Sequence, residues 1–432
     1  MTAREAALKA LGAFRRGQLP ESCIDALGLE PREAALARRI CACVLTNSLY
    51  LDWWLGLYLT RPAEKLHPVM LDALRLSAAQ IAFFDRIPAS AAVDEGVRLV
   101  SSYVNKGASG MANAVLRKIA ADGHPPKPEG MNRLDRMSTE FSCPKELAEY
   151  YVNEYGTDTA EEILKAQNEL PPVFARVNTL KTTAGELLQL LASEGVHASE
   201  HPWLPGTVVL ADAGNLERLE AFNKGLFFVQ DPAATLAVLA AGLAPGMKVL
   251  DACASPGGKS FAAAMELHGE GSITSRDVNQ KKLLPIRESA ERMEVDIIQT
   301  EARDAAREPA GTGFDAVLAD TPCSGFGTVR KKPEIRYKSL EAVAALPEKQ
   351  LAILRNLSGA VKPGGVLLYS TCTLIRAENE GVTEAFLKEH EDFTMEPFEL
   401  PGAGECPGRV TLLPGRLGTD GFYICRMRRK KT

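Results

Sequence analysis

From Phe222 onward the chain alternates between short apolar runs and segments of helical periodicity, and this alternation restricts the fold more than any other feature of the sequence. The apolar runs are "GMKVLDA", "GSITSRD", "VDIIQT", "FDAVLAD" and "GGVLLYST", and segments such as "KSFAAAMELH" and "KKLLPIRESAERM" separate most of them. Strands that alternate with helices form parallel sheets with helices on both faces. The pattern therefore predicts an α/β domain over residues 223–432, with a doubly wound, mostly parallel sheet.

The part of the chain before this domain has a different pattern. Over residues 1–130 the apolar positions recur at intervals of three and four, which predicts an all-helical domain. A Pro-rich stretch, "ADGHPPKPEGMNR", then reads as a linker. Two helical patterns, the strand-like "PPVFARVNTLK" and a further helix predict a small α+β module over residues 136–222.

Composition excludes several classes of protein. No apolar run approaches the roughly 18 residues that a membrane span needs, and the N-terminus reads as an amphipathic helix, so we expect a cytoplasmic protein without a membrane partner. The nine cysteines include no CxxC pair, which argues against a disulfide framework and a zinc site. The net charge of −5 does not by itself indicate a nucleic-acid partner.

Three of the predicted strands end in features that suit a nucleoside. Ligands of open α/β sheets bind at the carboxyl ends of the strands. After "KVLDA" the loop "CASPGGKS" opens a helix, and Gly257 and Gly258 let its backbone approach a ligand. The loop matches neither GxGxxG nor the phosphate-binding loop, and glycines of this kind also serve plain strand-to-helix turns. Asp277 and Asp304 follow the next two strands, where carboxylates can bind ribose hydroxyls and an adenine amino group. Together these features favour a nucleoside cofactor.

Two other strand ends carry thiols. Asp320 and Cys323 follow "FDAVLA", and Cys372 ends "GVLLYSTC". A single cysteine in such a place is more often a buried structural thiol, but two at corresponding ends predict a shared pocket. A thiolate that adds to carbon 6 of a pyrimidine makes carbon 5 nucleophilic, and a second group must then remove the proton of carbon 5. A carboxyl group at ring nitrogen 3, a role that suits Asp320, would stabilise the charge that develops.

The motifs "DACASPGGKS", "DTPCSG" and "YSTCTL" resemble those of the S-adenosyl-L-methionine-dependent RNA cytosine-C5 methyltransferases, which have Rossmann-like class I methyltransferase domains. The segment "ALRLSAAQIAFFDRIPASAAVDEGVRLV" resembles the NusB antitermination-factor domain. The combination is similar to that of the family's bacterial members that methylate 16S ribosomal RNA, and it covers essentially the whole chain. Ser255, Ser260 and Thr321 are small departures from the usual motifs, and Pro285 either opens or kinks its helix.

The resemblance implies a role for each motif residue. Cys372 corresponds to the nucleophile, Cys323 to the cysteine that assists release, and Lys259 to a lysine near the catalytic acid Asp320. The expected cofactor is S-adenosyl-L-methionine, and no metal is expected. The residues implied to hold the cofactor are Cys253, Ala254, Ser255, Pro256, Gly257, Gly258, Lys259, Asp277, Asp304 and Asp320.

The expected partner is 16S ribosomal RNA, bound by a monomer. The segment "GTVRKKPEIRYK" after Cys323 predicts an RNA-binding loop at the mouth of the pocket, although basic runs are more often solvated faces. Its candidate contacts are Arg330, Lys331, Lys332 and Arg336. The alternatives are a transfer-RNA cytosine-C5 methyltransferase, a non-catalytic RNA-binding or antitermination protein, and an amino methyltransferase, whose "DPPY"-like motif would need an aromatic residue in place of Cys323.

Overall fold

The computed structural model describes residues 1–211 and 214–431, and Asp212, Ala213 and Thr432 lie outside the described residues. The chain forms two compact units. The first contains residues 1–168 and 332–339, and the second contains the described residues of 169–331 and 340–432.

The first unit is helical, which confirms the prediction for the N-terminal part of the chain. Thr2 and Glu5 form a capping box at the start of its first helix, and prolines in the first turn open its third and fourth helices. Its core contains Leu51, Trp54, Leu74 and Ile119, each at most 1% exposed. Its helices are α1 (Ala3–Phe14), α2 (Pro20–Asp25), α3 (Pro31–Gly56), α4 (Pro68–Phe83), α5 (Ala89–Tyr103), α6 (Lys106–Ala121), α7 (Arg133–Glu140), α8 (Lys145–Tyr155) and α9 (Thr157–Ala166), with 3₁₀ turns at Ala63–Lys65 and Pro333–Tyr337.

The domain boundaries differ from the predicted ones. Helices α7, α8 and α9 belong to the helical unit, although the predicted α+β module begins at residue 136. The Pro-rich stretch before α7 is therefore a connection within this unit, and it does not separate two units. A proline-rich composition predicts a break in secondary structure, but it does not indicate how the flanking helices pack.

A four-stranded antiparallel sheet begins the second unit, in the order β2-β3-β1-β4. Its last strand lies beyond the predicted boundary at residue 222 and pairs with the first, with Ala175 opposite Val229. Val177, Leu187, Val208 and Phe227 are buried beneath the sheet. Its strands are β1 (Val173–Val177), β2 (His197–Glu200), β3 (Thr207–Ala211) and β4 (Phe227–Val229), and its helices are α10 (Ala184–Ser193) and α11 (Glu220–Asn223), with a 3₁₀ turn at Leu216–Arg218.

The larger sheet of this unit has the order β10-β14-β9-β8-β5-β6-β7, with β13 paired to β14. The five strands from β9 to β7 are parallel, whereas β14 runs antiparallel to β9. Its strands are β5 (Lys248–Asp251), β6 (Ser272–Asp277), β7 (Ile298–Ala302), β8 (Phe314–Asp320), β9 (Val361–Thr371), β10 (Phe393–Met395), β13 (Arg409–Leu412) and β14 (Phe422–Arg429), and β11 (Phe398–Leu400) and β12 (Gly404–Cys406) form a separate hairpin. This arrangement confirms the predicted mostly parallel, Rossmann-like sheet.

Both faces of this sheet are buried. Along β8, Ala316 and Leu318 contribute to one core, and Val317 and Ala319 to the other. Two buried faces explain why the strand reads as one continuous apolar run. The helices of this part are α12 (Pro232–Ala240), α13 (Gly258–Glu266), α14 (Leu284–Met293), α15 (Leu340–Val343), α16 (Leu346–Ser358) and α17 (Glu380–Glu389), with 3₁₀ turns at Gln280–Leu283 and Arg376–Glu378.

Two sequence details are settled by this geometry. Pro285 lies in the first turn of α14, so it opens that helix and does not kink it. Among the helices of the described residues, none has the length and hydropathy that a bilayer span requires.

Candidate active site

The first strand of the parallel sheet leads into the predicted cofactor loop. After Asp251, at the end of β5, the loop reaches α13 through Gly257, whose φ of +107° lies in the region that favours glycine. A Cβ atom on Gly257 would lie 2.9 Å from the Phe261 ring, and one on Gly258 would lie 3.2 Å from Gln230 Nε2. The two glycines therefore allow the loop to pack closely at the start of the helix.

The loop borders a cavity of about 180 Å³. Two buried side-chain atoms of its lining, Asp251 Oδ1 and Gln230 Nε2, have no hydrogen-bond partner among the described residues. An unpartnered acceptor and an unpartnered donor suit a ligand that carries both an ammonium and a carboxylate group, as the amino-acid end of S-adenosylmethionine does. The lining consists of Val229, Gln230, Asp231, Ala234, Asp251, Cys253, Ala254, Ser255, Pro256, Gly258, Lys259 and Asp320.

Asp251 is an acid that the sequence analysis missed. Its Oδ2 accepts a hydrogen bond from Ser260 Oγ at 2.7 Å, and Ser260 Oγ lies 2.7 Å from Ser275 Oγ. Burial raises the pKa of Asp251 to about 6, although the hydrogen bond from Ser260 opposes the shift. Its place at the end of the first parallel strand was the signal in the sequence, since the acids after the next two strands were singled out for that reason.

The two acids predicted to bind the nucleoside lie on the same edge of the sheet. Asp277 ends β6 and accepts a hydrogen bond from the Asn279 N–H at 2.8 Å. Asp304 follows β7 and accepts one from the Ala306 N–H at 2.9 Å. Because β5, β6 and β7 are adjacent and parallel, their carboxyl ends present Asp251, Asp277 and Asp304 in succession. Neither Asp277 nor Asp304 lines the cavity described above.

The two predicted thiols lie together at the ends of the neighbouring strands β8 and β9. Cys323 Sγ lies 3.3 Å from Cys372 Sγ, and both residues are half-buried. Asp320 is paired with Ser370 across the two strands. Asp320 Oδ2 lies 2.7 Å from Lys259 Nζ, and Asp320 Oδ1 accepts a hydrogen bond from Ser370 Oγ at 2.9 Å. Lys259 and Asp320 line the cavity, so this ion pair joins the cofactor loop to the strand that leads to Cys323.

The two thiols are electrostatically different. The hydrogen bond from Cys323 lowers the pKa of Cys372, and the Lys259 ammonium lowers it further, against burial and the charge of Asp320. The same hydrogen bond, together with burial, raises the pKa of Cys323 well above that of an ordinary thiol. Burial alone would lower the pKa of Lys259, but the Asp320 carboxylate outweighs burial and raises it. Cys372 is therefore the stronger candidate for the thiolate.

Two glycines fix the backbone beside Cys372. Gly327 N–H donates to the Cys372 carbonyl at 2.9 Å, and Gly421 N–H donates to the Gly327 carbonyl at 2.9 Å. A Cβ atom on Gly327 would overlap the carbonyl oxygen of Gly421. The close approach of these chains therefore requires glycine at position 327.

The basic segment after Cys323 differs from the prediction. The Arg330 guanidinium, with 7% of its side chain exposed, lies 2.6 Å from Asp420 and 3.1 Å from Asp231. Lys331 Nζ lies 2.5 Å from Asp231 and 2.7 Å from Asp420. These four side chains form one ion-pair cluster, and the two carboxylates already neutralise the cations predicted to contact RNA. Lys332 is exposed.

The prediction for Arg336 is corrected by its burial. Arg336 is 2% exposed and lies in the helical unit, where its guanidinium donates to the carbonyls of Thr46, Phe141 and Gln167 at 2.8, 2.8 and 3.2 Å. A side chain in this position is inaccessible to RNA. Phe141 and Gln167 directly follow α7 and α9, where helix ends leave carbonyl groups without intrahelical partners, and Thr46 lies within α3, so the guanidinium joins three helices of this unit.

The fold and site together define the class of the protein. A parallel sheet with a glycine-containing loop after its first strand, acids after the next two strands and a cavity at the same edge is the arrangement of the S-adenosylmethionine-dependent methyltransferases. No group of three or more His, Cys, Asp or Glu side chains in the described residues is arranged to hold a metal ion.

Comparisons with known proteins give the family. Residues 238–428 match the family described as "16S rRNA methyltransferase RsmB/F", residues 1–121 the NusB family, and residues 143–217 the ferredoxin-like domain of RsmF/B-like methyltransferases. The chain is 36% identical to the "Probable ribosomal RNA small subunit methyltransferase B" of Bacillus subtilis, over 99% of this chain and 98% of that protein. The chain belongs to the RsmB/F family of 16S rRNA methyltransferases and carries a NusB domain.

Other relatives agree with this assignment. The "Ribosomal RNA small subunit methyltransferase B" of Xanthomonas campestris is 31% identical over 91% of this chain and 88% of that protein. The crystal structure of PH0851 has a TM-score of 0.78 at 25% identity and covers 99% of this chain and 98% of its own. The structure of NSun6 from Pyrococcus horikoshii has a TM-score of 0.61 at 23% identity over 67% of this chain and 99% of its own, and this likeness concerns the fold alone.

Proposed function

We propose that the protein methylates carbon 5 of a cytosine in 16S ribosomal RNA through a covalent bond between Cys372 and carbon 6 of the base. The observation that carries the proposal is the pair of thiols 3.3 Å apart, beside the ion pair of Asp320 and Lys259. Methylation at an oxygen or an exocyclic amino group needs no thiol, whereas methylation at carbon 5 needs a nucleophile and a base.

Cys372 begins the reaction. Its lowered pKa favours the thiolate, which adds to carbon 6 and moves the electrons of the carbon 5–carbon 6 double bond toward carbon 5 and the ring. Asp320, held by Lys259 and Ser370, would carry a proton to ring nitrogen 3, which neutralises the charge that develops there, and would take the proton back when Cys372 leaves. Bound S-adenosylmethionine supplies the electrophilic methyl group that carbon 5 takes up.

Cys323 completes the reaction. Before attack, its pKa is raised mainly by the hydrogen bond to Cys372, and the charge of Cys372 adds to this. Once the Cys372 sulfur is bonded to carbon 6, it no longer carries that charge, so Cys323 becomes more acidic and can release its proton to solvent, which is the one proton that methylation sets free. The Cys323 thiolate then takes the proton of carbon 5, the double bond re-forms, and Cys372 leaves as the thiolate.

Removal of each thiol tests the proposal. Labelled S-adenosylmethionine and a 16S ribosomal RNA transcript are incubated with Cys372→Ala, with Cys323→Ala and with the control Cys23→Ala, which removes a thiol from the helical unit. We expect Cys372→Ala to transfer no methyl group and to form no adduct. Cys323→Ala should form a protein–RNA adduct that survives denaturing electrophoresis, because nothing removes the carbon 5 proton.

The opposite results would contradict the assignment. An adduct formed by the Cys372 variant would exchange the two roles, and methyl transfer without either thiol would exclude the covalent route. Bisulfite sequencing of the RNA product reports whether carbon 5 of a cytosine carries the methyl group, since the control variant should leave one cytosine resistant to deamination.

A further inference from the structure

A buried carboxylate lies between the two loops that carry the thiols. Glu378 ends the 3₁₀ turn Arg376–Glu378 and is 1% exposed. Its Oε2 accepts a hydrogen bond from the Ser324 N–H at 2.9 Å and another from Gln350 Nε2 at 2.9 Å. Its Oε1 lies 3.5 Å from Thr373 Oγ1. Ser324 directly follows Cys323, and Thr373 directly follows Cys372, so one side chain contacts both loops.

The surrounding contacts make this a closed network. Ser324 Oγ lies 2.6 Å from Thr373 Oγ1, which joins the two loops directly. Gln350 Nε2, which donates to Glu378, also donates to the Pro322 carbonyl at 3.0 Å. Tyr369 donates its hydroxyl to the Glu378 carbonyl at 2.5 Å. The Glu378 carboxylate is therefore held by Ser324 and Thr373, which follow the two thiols, and by Gln350 on α16, while Tyr369 on β9 binds its backbone carbonyl.

The charge of Glu378 is placed asymmetrically with respect to the two sulfurs. Among the described residues, the partners of the carboxylate are Ser324, Gln350 and Thr373, none of which is a Lys, Arg or His side chain, and a buried charge without such a partner is costly. The charged or ionisable groups that face Cys323 are Cys372, Glu378 and Asp320, whereas those that face Cys372 are Cys323, Asp320, Lys259 and Asp420. Glu378 therefore disfavours negative charge on Cys323, while Lys259 favours it on Cys372.

We propose that Glu378 is a positioning residue, which holds the Cys323 and Cys372 loops in register and keeps the negative charge of the thiol pair on Cys372. The inference rests on the proposed two-thiol reaction and adds a residue that never contacts the substrate. It separates two roles of one side chain: the hydrogen bonds set the distance between the sulfurs, and the charge decides which sulfur attacks.

The variant Glu378→Gln separates these roles. Its amide oxygen can accept from Ser324 and Gln350, and its amide nitrogen can donate to Thr373, so the network is retained while the charge is removed. The matched control is Glu389→Gln, because Glu389 is exposed and pairs with Arg355. Glu378→Ala, which removes both roles, completes the series.

The measurement is the single-turnover rate of adduct formation against pH. The substrate is a 16S ribosomal RNA transcript that contains 5-fluorocytosine. Carbon 5 of this base carries fluorine in place of the proton that must be removed, so the adduct cannot break down and is trapped. For Glu378→Gln we expect the plateau rate to fall about tenfold and the acid limb of the profile to move to lower pH by roughly half a unit, since removal of a negative charge makes the thiol pair easier to ionise. For Glu378→Ala we expect a fall of about a hundredfold, because the sulfurs lose their fixed separation. Affinities for S-adenosylmethionine and RNA should stay within about twofold.

The acid limb decides between the proposal and a merely structural role. A lower rate with an unmoved limb, or a Glu378→Gln profile that matches the wild type, overturns the inference and leaves the proposed function intact, provided that the wild type forms the adduct. A wild-type protein that forms no adduct overturns the proposed function and this inference with it.

Discussion

The sequence predicts functional residues both at the carboxyl edge of the parallel sheet and in the basic segment at residues 330–336. In the structure, the side chains of these two regions have opposite surroundings. At the sheet edge, buried polar atoms such as Asp251 Oδ1 face a cavity without a partner, and two free thiols are half-buried. In the basic segment, Arg330 and Arg336 donate hydrogen bonds to groups of the protein itself. Thiols and acids at strand ends therefore predict a functional site better than positive charges in a connecting segment do.

The difference has a physical cause. Parallel strands in register present their ends at one edge, so a residue just after a strand has a place fixed by the backbone. A cation in a connecting segment has a long side chain that can reach partners distant in sequence. The partners here are Asp231 and Asp420 for Arg330, and Thr46 for Arg336. No local pattern in the sequence predicts such pairs.

Loss of the charge of Asp320 should have the largest effect and would show that the edge is the reactive region. We expect Asp320→Asn to lower the single-turnover rate about a hundredfold or more, because the amide cannot carry a proton to nitrogen 3 and leaves Lys259 without its carboxylate. The matched control is Asp315→Asn, near the opposite end of the same strand, which should keep the wild-type rate. Equal losses in the two variants would make the effect one of strand stability.

Removal of the Arg336 side chain should destabilise the helical unit and leave the affinity for RNA unchanged. Arg336→Ala leaves several buried carbonyls without a donor, and we expect the free energy of unfolding of that unit to fall by about 3 kcal/mol. Urea unfolding of the full chain, followed as separate transitions where they resolve, measures this loss. Arg336→Lys should not restore it, because an ammonium lacks the planar fork. An undiminished stability with weaker RNA binding would reinstate the contact predicted from the sequence.

These contrasts indicate how far sequence reasoning reached. The helical N-terminal part, the parallel sheet and the proximity of Cys323 to Cys372 followed from periodicity and strand ends. The predicted boundary at residue 136 differs from the division of the two compact units after residue 168, because the packing of α7, α8 and α9 within the helical unit depends on contacts distant in sequence. Glu378 was missed for a related reason: its contacts with Ser324 and Gln350 depend on the meeting of loops from separate strands.

Asp251, at the same edge of the sheet, allows a test with a smaller expected effect. Its pKa in the folded protein, about 6, is above the ordinary value of 3.8, so the folded state binds the proton more tightly than the unfolded state does. The contribution of this group to stability is therefore largest below the ordinary pKa and is lost as the pH rises through about 6. Asp251→Asn does not ionise, so between pH 5 and pH 8 its stability relative to the wild type should increase by about 1.4 kcal/mol in urea unfolding without cofactor. A constant difference in the free energy of unfolding across this range would mean that burial does not raise the pKa of Asp251.

The smallest expected effect concerns Lys332, which is exposed and for which the described residues show no ion pair. We expect Lys332→Ala to weaken RNA binding about threefold and to reduce the slope of log affinity against log salt by about one, as the loss of a single phosphate contact would. Lys331→Ala provides the contrast within the segment, because Asp231 and Asp420 already neutralise its ammonium, and its slope should match the wild type. If the slope of log affinity against log salt fell by the same amount in both variants, the ion-pair cluster would have to open when RNA binds. Lys331 would then contact phosphate as Lys332 does, although carboxylates neutralise it in the free protein.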